Sequence, residues 1–145
     1  MLIPGHLAAG VLTVAALRLA QPDRPPRPPF RRVLLPTLVG TLTPDLIDKP
    51  LQWAGVVSSS RAVGHSPTLF LALLGLALAT WYLSGETLRR WATVALFWVA
   101  GIGSHILVDY VDEQLIDHFS RPTPLEYAVI VAAIFCIWWW YRPRH

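Results

Sequence analysis

The sequence predicts an all-α protein, an integral membrane bundle of about five membrane-embedded helices that forms a single domain over residues 1–145. Two observations predict this class. Of the 145 residues, 54% are hydrophobic and only 14% are charged, with a mean hydropathy of +0.46. The apolar residues also fall into blocks of helix-spanning length, separated by short polar or proline-rich connectors. Ordinary soluble domains are less apolar, so we expect lipid to surround part of this chain.

Five apolar blocks are the candidate helices. They cover residues 2–20, 33–57, 67–83, 91–111 and 125–141. No positive charge precedes the first block and Arg18 closes it, which favours a retained span over a cleaved signal peptide. Ser66 directly precedes the third block and is a candidate N-cap. The last block ends in a run of aromatic residues followed by Arg142, as expected at a membrane interface.

The second block, residues 33–57, is the least regular of the five. Three prolines interrupt it: Pro36, Pro44 and Pro50. Because a proline inside a helix removes a hydrogen bond and clashes with the preceding turn, we expect a broken or re-entrant element. Thr43 and Pro44 would cap and begin a new helix whose positive end faces Asp45.

The arginines predict the orientation in the membrane. They account for most of the formal charge of +3 and cluster between the first and second blocks, between the third and fourth, and at the C-terminus. If all five blocks cross the membrane, these regions lie on one side, which should be cytoplasmic. We therefore expect a multi-pass protein of the inner membrane, with the N-terminus outside and the C-terminus inside. A re-entrant second block would invert every later element. Nucleic acid is not an expected partner.

Polar residues at membrane depth carry the candidate chemistry. In the fourth block His105 and Asp109 are four residues apart and Asp112 follows three residues later, so all three share one helix face. Asp45 and Asp48 are three residues apart in the second block, and paired carboxylates repel each other unless a positive group lies between them. Such residues are costly in lipid and commonly mark functional sites.

Two further histidines lie at the outer ends of predicted spans, His6 in the first block and His65 just before the third. With a rise of about 1.5 Å per residue and a hydrocarbon layer of about 30 Å, all these side chains reach one level in its outer half. We therefore expect one site to which four elements contribute metal ligands. The candidate ligands are His6, Asp45, His65, His105 and Asp109.

Imidazoles and carboxylates suit a divalent metal ion, with Zn expected first and Mn or Fe as alternatives. The number of carboxylates leaves room for one or two ions. The lone Cys136 excludes a thiolate cluster. Asp48 is the candidate general base or bridging ligand. The candidate supporting residues are Ser66, Asp112 and Arg61, the last as a rival counterion for the aspartate pair.

Simpler interpretations stay open for some of these residues. His6 could be an ordinary interfacial side chain, and His105 with Asp109 could be a hydrogen-bonded pair that ties helices together. The acidic stretch after the fourth block is most simply a solvated outer loop. It contains Asp112, Glu113, Asp117 and His118.

Four separated motifs resemble a known family. They are GHLAAG at the start, LTPDLIDKP in the second block, RAVGHS before the third and GIGSHILVD in the fourth. In this order they are similar to the membrane-bound metal-dependent hydrolases, also catalogued as LexA-binding, inner-membrane-associated hydrolases. The resemblance implies metal-dependent hydrolysis and assigns the family's polar positions to residues of this chain. These are His6, Asp45, Asp48, His65, Ser66, His105 and Asp109.

The expected function is therefore hydrolysis by metal-activated water near the outer leaflet. A site at that depth suits a membrane lipid or another amphiphile with a labile ester or phosphoester near its headgroup. Two other classes stay open. A metal-ion or solute transporter would also place histidines and carboxylates in the membrane, although no internal repeat is visible. A non-catalytic scaffold would use the polar cluster, or a structural metal, to fix the helix packing.

Overall fold

The computed structural model contains five α-helices and describes residues 3–20, 29–115 and 124–141. The helices are α1 (Ile3–Ala20), α2 (Phe30–Trp53), α3 (Pro67–Leu83), α4 (Glu86–Leu115) and α5 (Pro124–Tyr141). No strand occurs within these ranges. The all-α class and the five helices expected from the apolar blocks are confirmed, and α4 extends beyond the predicted block at both ends.

α4 is the central helix of the bundle. It packs against α1, α2 and α3, and α5 packs against α1. The backbones of α2 and α4 touch where Gly40 meets Gly101. A Cβ atom at Gly40 would overlap the carbonyl oxygen of Trp98, and one at Gly101 would overlap that of Thr37. Only glycine allows so close an approach, so this contact fixes the position of α2 on α4.

Buried apolar side chains fill two clusters beside this contact. The first joins α1, α2 and α4 through Val14, Phe30, Val33 and Phe97. The second joins α1 to α5 through Ala8, Val11 and Ala133. Together they hold α1 between the centre of the bundle and α5.

The predicted break in the second block is wrong, because α2 runs as one helix through all three of its prolines. No helix begins at Thr43. Its hydroxyl instead donates to the carbonyl oxygen of Val39 at 2.8 Å, one turn back in the same helix. Each interior proline costs a helix about 3 kcal/mol locally, but packing against a neighbouring helix can offset that cost. Here α2 packs along α4, and Pro44 is buried with Gly64 of the following loop against its backbone.

α4 is the one helix among the described residues that is long and apolar enough to cross a membrane, over Glu86–Val111. Shorter apolar stretches occupy Ile3–Leu19 and Pro67–Leu83. In α3 the only buried residue is Ala77. Its large exposed side chains include Leu71, Leu76 and Leu83. An apolar helix with its side chains turned outward favours lipid over water as its surroundings.

Candidate metal centre

Polar side chains from four segments meet at one end of the bundle. They come from the start of α1, the end of α2, the loop before α3 and the second half of α4. The residues are His6, Asp45, Asp48, His65, His105 and Asp109. Consecutive helices that run in opposite directions bring these four places together. His6, Asp48, His105 and Asp109 are buried.

His65 and His105 face each other through their Nε2 atoms, which are 3.0 Å apart. Nδ1 of His105 lies 2.5 Å from the carbonyl oxygen of Thr41, and Nδ1 of His65 lies 2.8 Å from a carboxylate oxygen of Asp48. Both partners are acceptors, so both Nδ1 atoms carry a proton. In the neutral rings, therefore, two Nε2 lone pairs point at each other, and a proton or a metal ion is needed between them.

The protonation of His65 reflects its surroundings. Burial lowers the pKa of His65, but hydrogen bonds to Asp109 and Asp48 raise it, and the net shift is upward. A proton and a divalent ion therefore compete for the same lone pair, as they do for histidine ligands in general.

Asp109 lies beside all three imidazoles. One carboxylate oxygen is 3.5 Å from Nε2 of His65 and 3.6 Å from Nε2 of His105, and the other is 3.4 Å from Nε2 of His6. The His6 ring stacks on that of His105 with centroids 3.9 Å apart. Nδ1 of His6 is buried and has no hydrogen-bond partner within the described part of the chain. A buried polar atom of this kind marks a place that a ligand, ion or water completes.

This donor set fits a divalent ion. Ligands about 2.1 Å from a tetrahedral ion lie about 3.4 Å from one another. The ligand atoms of His65, His105 and Asp109 lie 3.0, 3.5 and 3.6 Å apart. Two groups could each hold an ion, His6 with His105 and Asp109, and Asp45 with His65 and His105. His105 belongs to both, and its Nδ1 is already bonded to a carbonyl, so the two groups share a single ligand atom.

Asp48 is fully buried, and its carboxylate accepts four hydrogen bonds. The donors are the backbone N–H groups of Ala62, Gly64 and His65, at 2.8, 2.8 and 3.2 Å, and Nδ1 of His65. Protein donors thus occupy both oxygens. A general base needs an oxygen that reaches substrate or water. The hydrogen bonds of this carboxylate instead hold the loop before α3 in place and fix the orientation of the His65 ring.

The cation beside Asp45 is Lys49, a residue that sequence reasoning missed. Its Nζ lies 2.6 Å from Oδ2 of Asp45. The i,i+4 spacing of the two residues on one helix was the available signal. Arg61, expected as the rival counterion of the aspartates on α2, lies elsewhere: its guanidinium is 3.5 Å from Asp109 and 2.6 Å from Glu113.

A family model described as YdjM inner membrane protein matches residues 1–142. The chain belongs to this family. The family's description agrees with the inner-membrane association predicted from the sequence, and it names no reaction. Neither the curated proteins nor the solved structures contain a match to the chain.

The remaining candidate residues of this YdjM-family chain have mixed outcomes. Ser66 is the N-cap of α3, as predicted, and its Oγ accepts a hydrogen bond from the backbone N–H of Leu69. Asp112 is part of α4, but its side chain lies outside what the structure describes, as do Asp117 and His118. Glu113 was expected in a loop and belongs to α4.

The structure of this YdjM-family member therefore brings together all five side chains predicted as metal ligands. They are His6, Asp45, His65, His105 and Asp109. Two arrangements of them could hold a metal ion. Ligation itself, and the identity of the ion, stay predictions.

Proposed function

We propose that the chain is a membrane-bound metal-dependent hydrolase with one divalent ion at this centre. Zn²⁺ is the first candidate for that ion. His6, His65, His105 and Asp109 would hold the ion. The strongest support is the pair of facing Nε2 atoms, 3.0 Å apart, whose rings are each anchored through Nδ1. Metal-binding histidines commonly donate their other N–H to a carboxylate or a backbone carbonyl. In this chain Asp48 and the carbonyl of Thr41 accept these bonds.

A bound divalent ion supplies a Lewis acid and lowers the pKa of water toward neutrality. Asp45 is the most exposed of the three aspartates, with a side chain 19% exposed against 10% for Asp109 and 0% for Asp48. Lys49 contacts Oδ2 of Asp45, which leaves Oδ1 to accept the proton of the attacking water. We therefore assign proton transfer to Asp45 and the positioning of His65 to Asp48.

The arginines favour an outward-facing site. Arg31 and Arg32 lie at the start of α2, and Arg89 and Arg90 at the start of α4, both at the end of the bundle opposite the metal centre. Under the positive-inside rule that end is cytoplasmic. The centre then lies at the outer leaflet, where the substrates would be amphiphiles with a labile ester near the headgroup.

This orientation predicts the location of the C-terminus. If the five helices cross in alternation, a C-terminal fusion to a reporter that is active only outside the cytoplasm should be silent. A C-terminal fusion to a reporter active only inside should be bright and serves as the control for expression. A bright outside-active fusion with a silent inside-active fusion would contradict the proposed orientation, and with it the outward-facing site.

The two neighbouring aspartates of α2 should respond differently to removal of their charge. Asp48→Asn should weaken Zn²⁺ affinity about 10- to 100-fold, because an amide cannot accept all four hydrogen bonds and the His65 ring loses its anchor. Hydrolysis should recover when metal is in excess. Asp45→Asn should keep metal affinity within a few-fold and lower hydrolysis about 100-fold.

Chelator competition measures the affinity, and hydrolysis is measured at saturating Zn²⁺. The two variants are matched controls, since the residues are one turn apart on the same helix. If Asp48→Asn binds metal normally but does not hydrolyse, Asp48 is the base and our assignment of the two residues is wrong.

Catalysis itself is tested with the purified, metal-loaded protein and a panel of amphiphilic phosphoesters and carboxylic esters. Metal-dependent hydrolysis of at least one class is expected. A scaffold is the second candidate, because the cluster joins three helices and a loop through buried contacts. Metal that stabilises the protein without hydrolysis of any compound would favour that role.

A further inference from the structure

Arg61 lies at the exposed edge of the metal centre, in the loop before α3. Its side chain is 39% exposed. Nη2 is 3.5 Å from Oδ2 of Asp109, and the same oxygen is 3.5 Å from Nε2 of His65. A single carboxylate therefore separates the guanidinium from the histidines that would hold the ion. A group a few ångströms across could contact the ion and Arg61 together.

The second partner of Arg61 is easily exchanged. Nη1 lies 2.6 Å from Oε2 of Glu113, whose side chain is 61% exposed. Ion pairs between solvent-exposed side chains contribute little free energy, since water competes for both charges. Another anion that approaches from the open side can therefore replace Glu113. The planar fork of an arginine matches the oxygens of a phosphate especially well.

The negative charge of the centre explains why a substrate anion would need a positively charged residue such as Arg61. Four carboxylates surround it, which would repel an anionic substrate. They belong to Asp45, Asp48, Asp109 and Glu113. A divalent ion, Lys49 and Arg61 offset these charges. Lys49 is one turn from Asp45 and contacts its carboxylate, whereas Arg61 contacts the carboxylates of α4.

We propose that Arg61 recognises the phosphate group of the substrate, exchanging its ion pair with Glu113 for one with a phosphate oxygen. This inference rests on the proposed hydrolase function. Among the substrates of that function it favours phosphorylated amphiphiles and disfavours carboxylic esters. The shared chemistry is a phosphate, which a lipid headgroup or free phosphate could supply. Arg61 is thus a specificity-determining residue beside the metal centre.

The test measures metal content and anion binding on the same purified, Zn²⁺-loaded protein. The probes are inorganic phosphate, dihexanoyl phosphatidate below its micellar concentration and hexanoate as the carboxylate comparison. Arg61→Gln should keep its metal and bind phosphate or phosphatidate at least tenfold more weakly. Arg61→Lys should fall between Arg61→Gln and the wild type, because it keeps the charge and loses the fork. Glu113→Gln should tighten binding a few-fold by removing the competing carboxylate.

A matched pair at the other end of the bundle supplies the control. The nitrogen–oxygen distance between Arg90 and Glu86 is 2.6 Å, the same as between Arg61 and Glu113. The side chains of Arg90 and Glu86 are both exposed. Arg90→Gln should bind the probes as the wild type does. Dependence on Arg61 for phosphatidate alone indicates a lipid headgroup, and dependence for both probes indicates the phosphate itself; either supports the inference.

Equal affinity for phosphate probes in wild type and Arg61→Gln, with metal present in both, overturns the inference and leaves the hydrolase proposal intact. Hexanoate binding that depends on Arg61 as strongly as phosphatidate binding also overturns it. A wild type that holds no Zn²⁺ overturns the hydrolase proposal instead. In that case, phosphate binding that still depends on Arg61 supports the anion site without the metal. If phosphate binding does not depend on Arg61 either, both proposals are overturned.

Discussion

Replacing His105 with Ala should remove nearly all bound metal from the purified protein. The side chain is fully buried, and its ligand atom belongs to both groups that could hold an ion. Losing it therefore removes the ligand atom that both groups share, whereas His6→Ala leaves three of the four proposed ligands, His65, His105 and Asp109, in place. Elemental analysis of metal per chain, together with hydrolysis of any substrate found, measures the effect. His6→Ala should retain part of the metal.

His118→Ala is the control, a histidine that the sequence assigns to the outer connector and that is not among the proposed ligands. It should keep the wild-type metal content. His105→Gln serves as a second variant of more similar volume, in case a cavity in α4 disturbs the fold. Size-exclusion chromatography in detergent confirms that each variant is intact. Wild-type metal content in an intact His105→Ala protein would contradict ligation by this residue.

Local sequence features predicted much of the fold and which residues approach one another. The thickness of the lipid layer sets the length of apolar blocks, so hydropathy alone located the five helices. The i,i+4 spacing of His105 and Asp109 placed both on one face of α4. The start of α3 was equally local, because Ser66 and Pro67 are an N-cap and a first-turn residue whatever surrounds them.

Features that depend on distant residues could not be predicted in this way. α2 continues through its prolines while it packs on α4, and the two helices meet at Gly40 and Gly101, about 60 positions apart in the chain. The surroundings of Asp48 depend on a loop that returns 14 to 17 residues later and directs its backbone N–H groups at the carboxylate. Spacing identified Asp48 as a polar residue of the site but gave no information about its partners.

The contact between α2 and α4 should be the most sensitive packing position in the described bundle. In Gly101→Ala the new Cβ would overlap the carbonyl oxygen of Thr37 and lie 2.9 Å from the backbone N of Thr41. Backbone atoms cannot rotate away as a side chain can, so the two helices must separate. Overpacking of this kind costs about 3 kcal/mol. For a domain of this size that corresponds to a fall in Tm on the order of 10 °C, measured by thermal unfolding in detergent.

The same separation should reach the metal centre, because the carbonyl of Thr41 anchors the ring of His105. Gly101→Ala should therefore also weaken metal affinity, although the substitution adds no polar group and removes no ligand. Gly75→Ala is the matched control: Gly75 lies in α3, and no described atom beyond its own stretch of helix lies within 4 Å of the added Cβ. The Tm of this variant should stay the same or rise slightly through better helix propensity. If the two alanine variants unfold at the same temperature and bind metal equally well, the backbone contact between α2 and α4 does not hold the centre together.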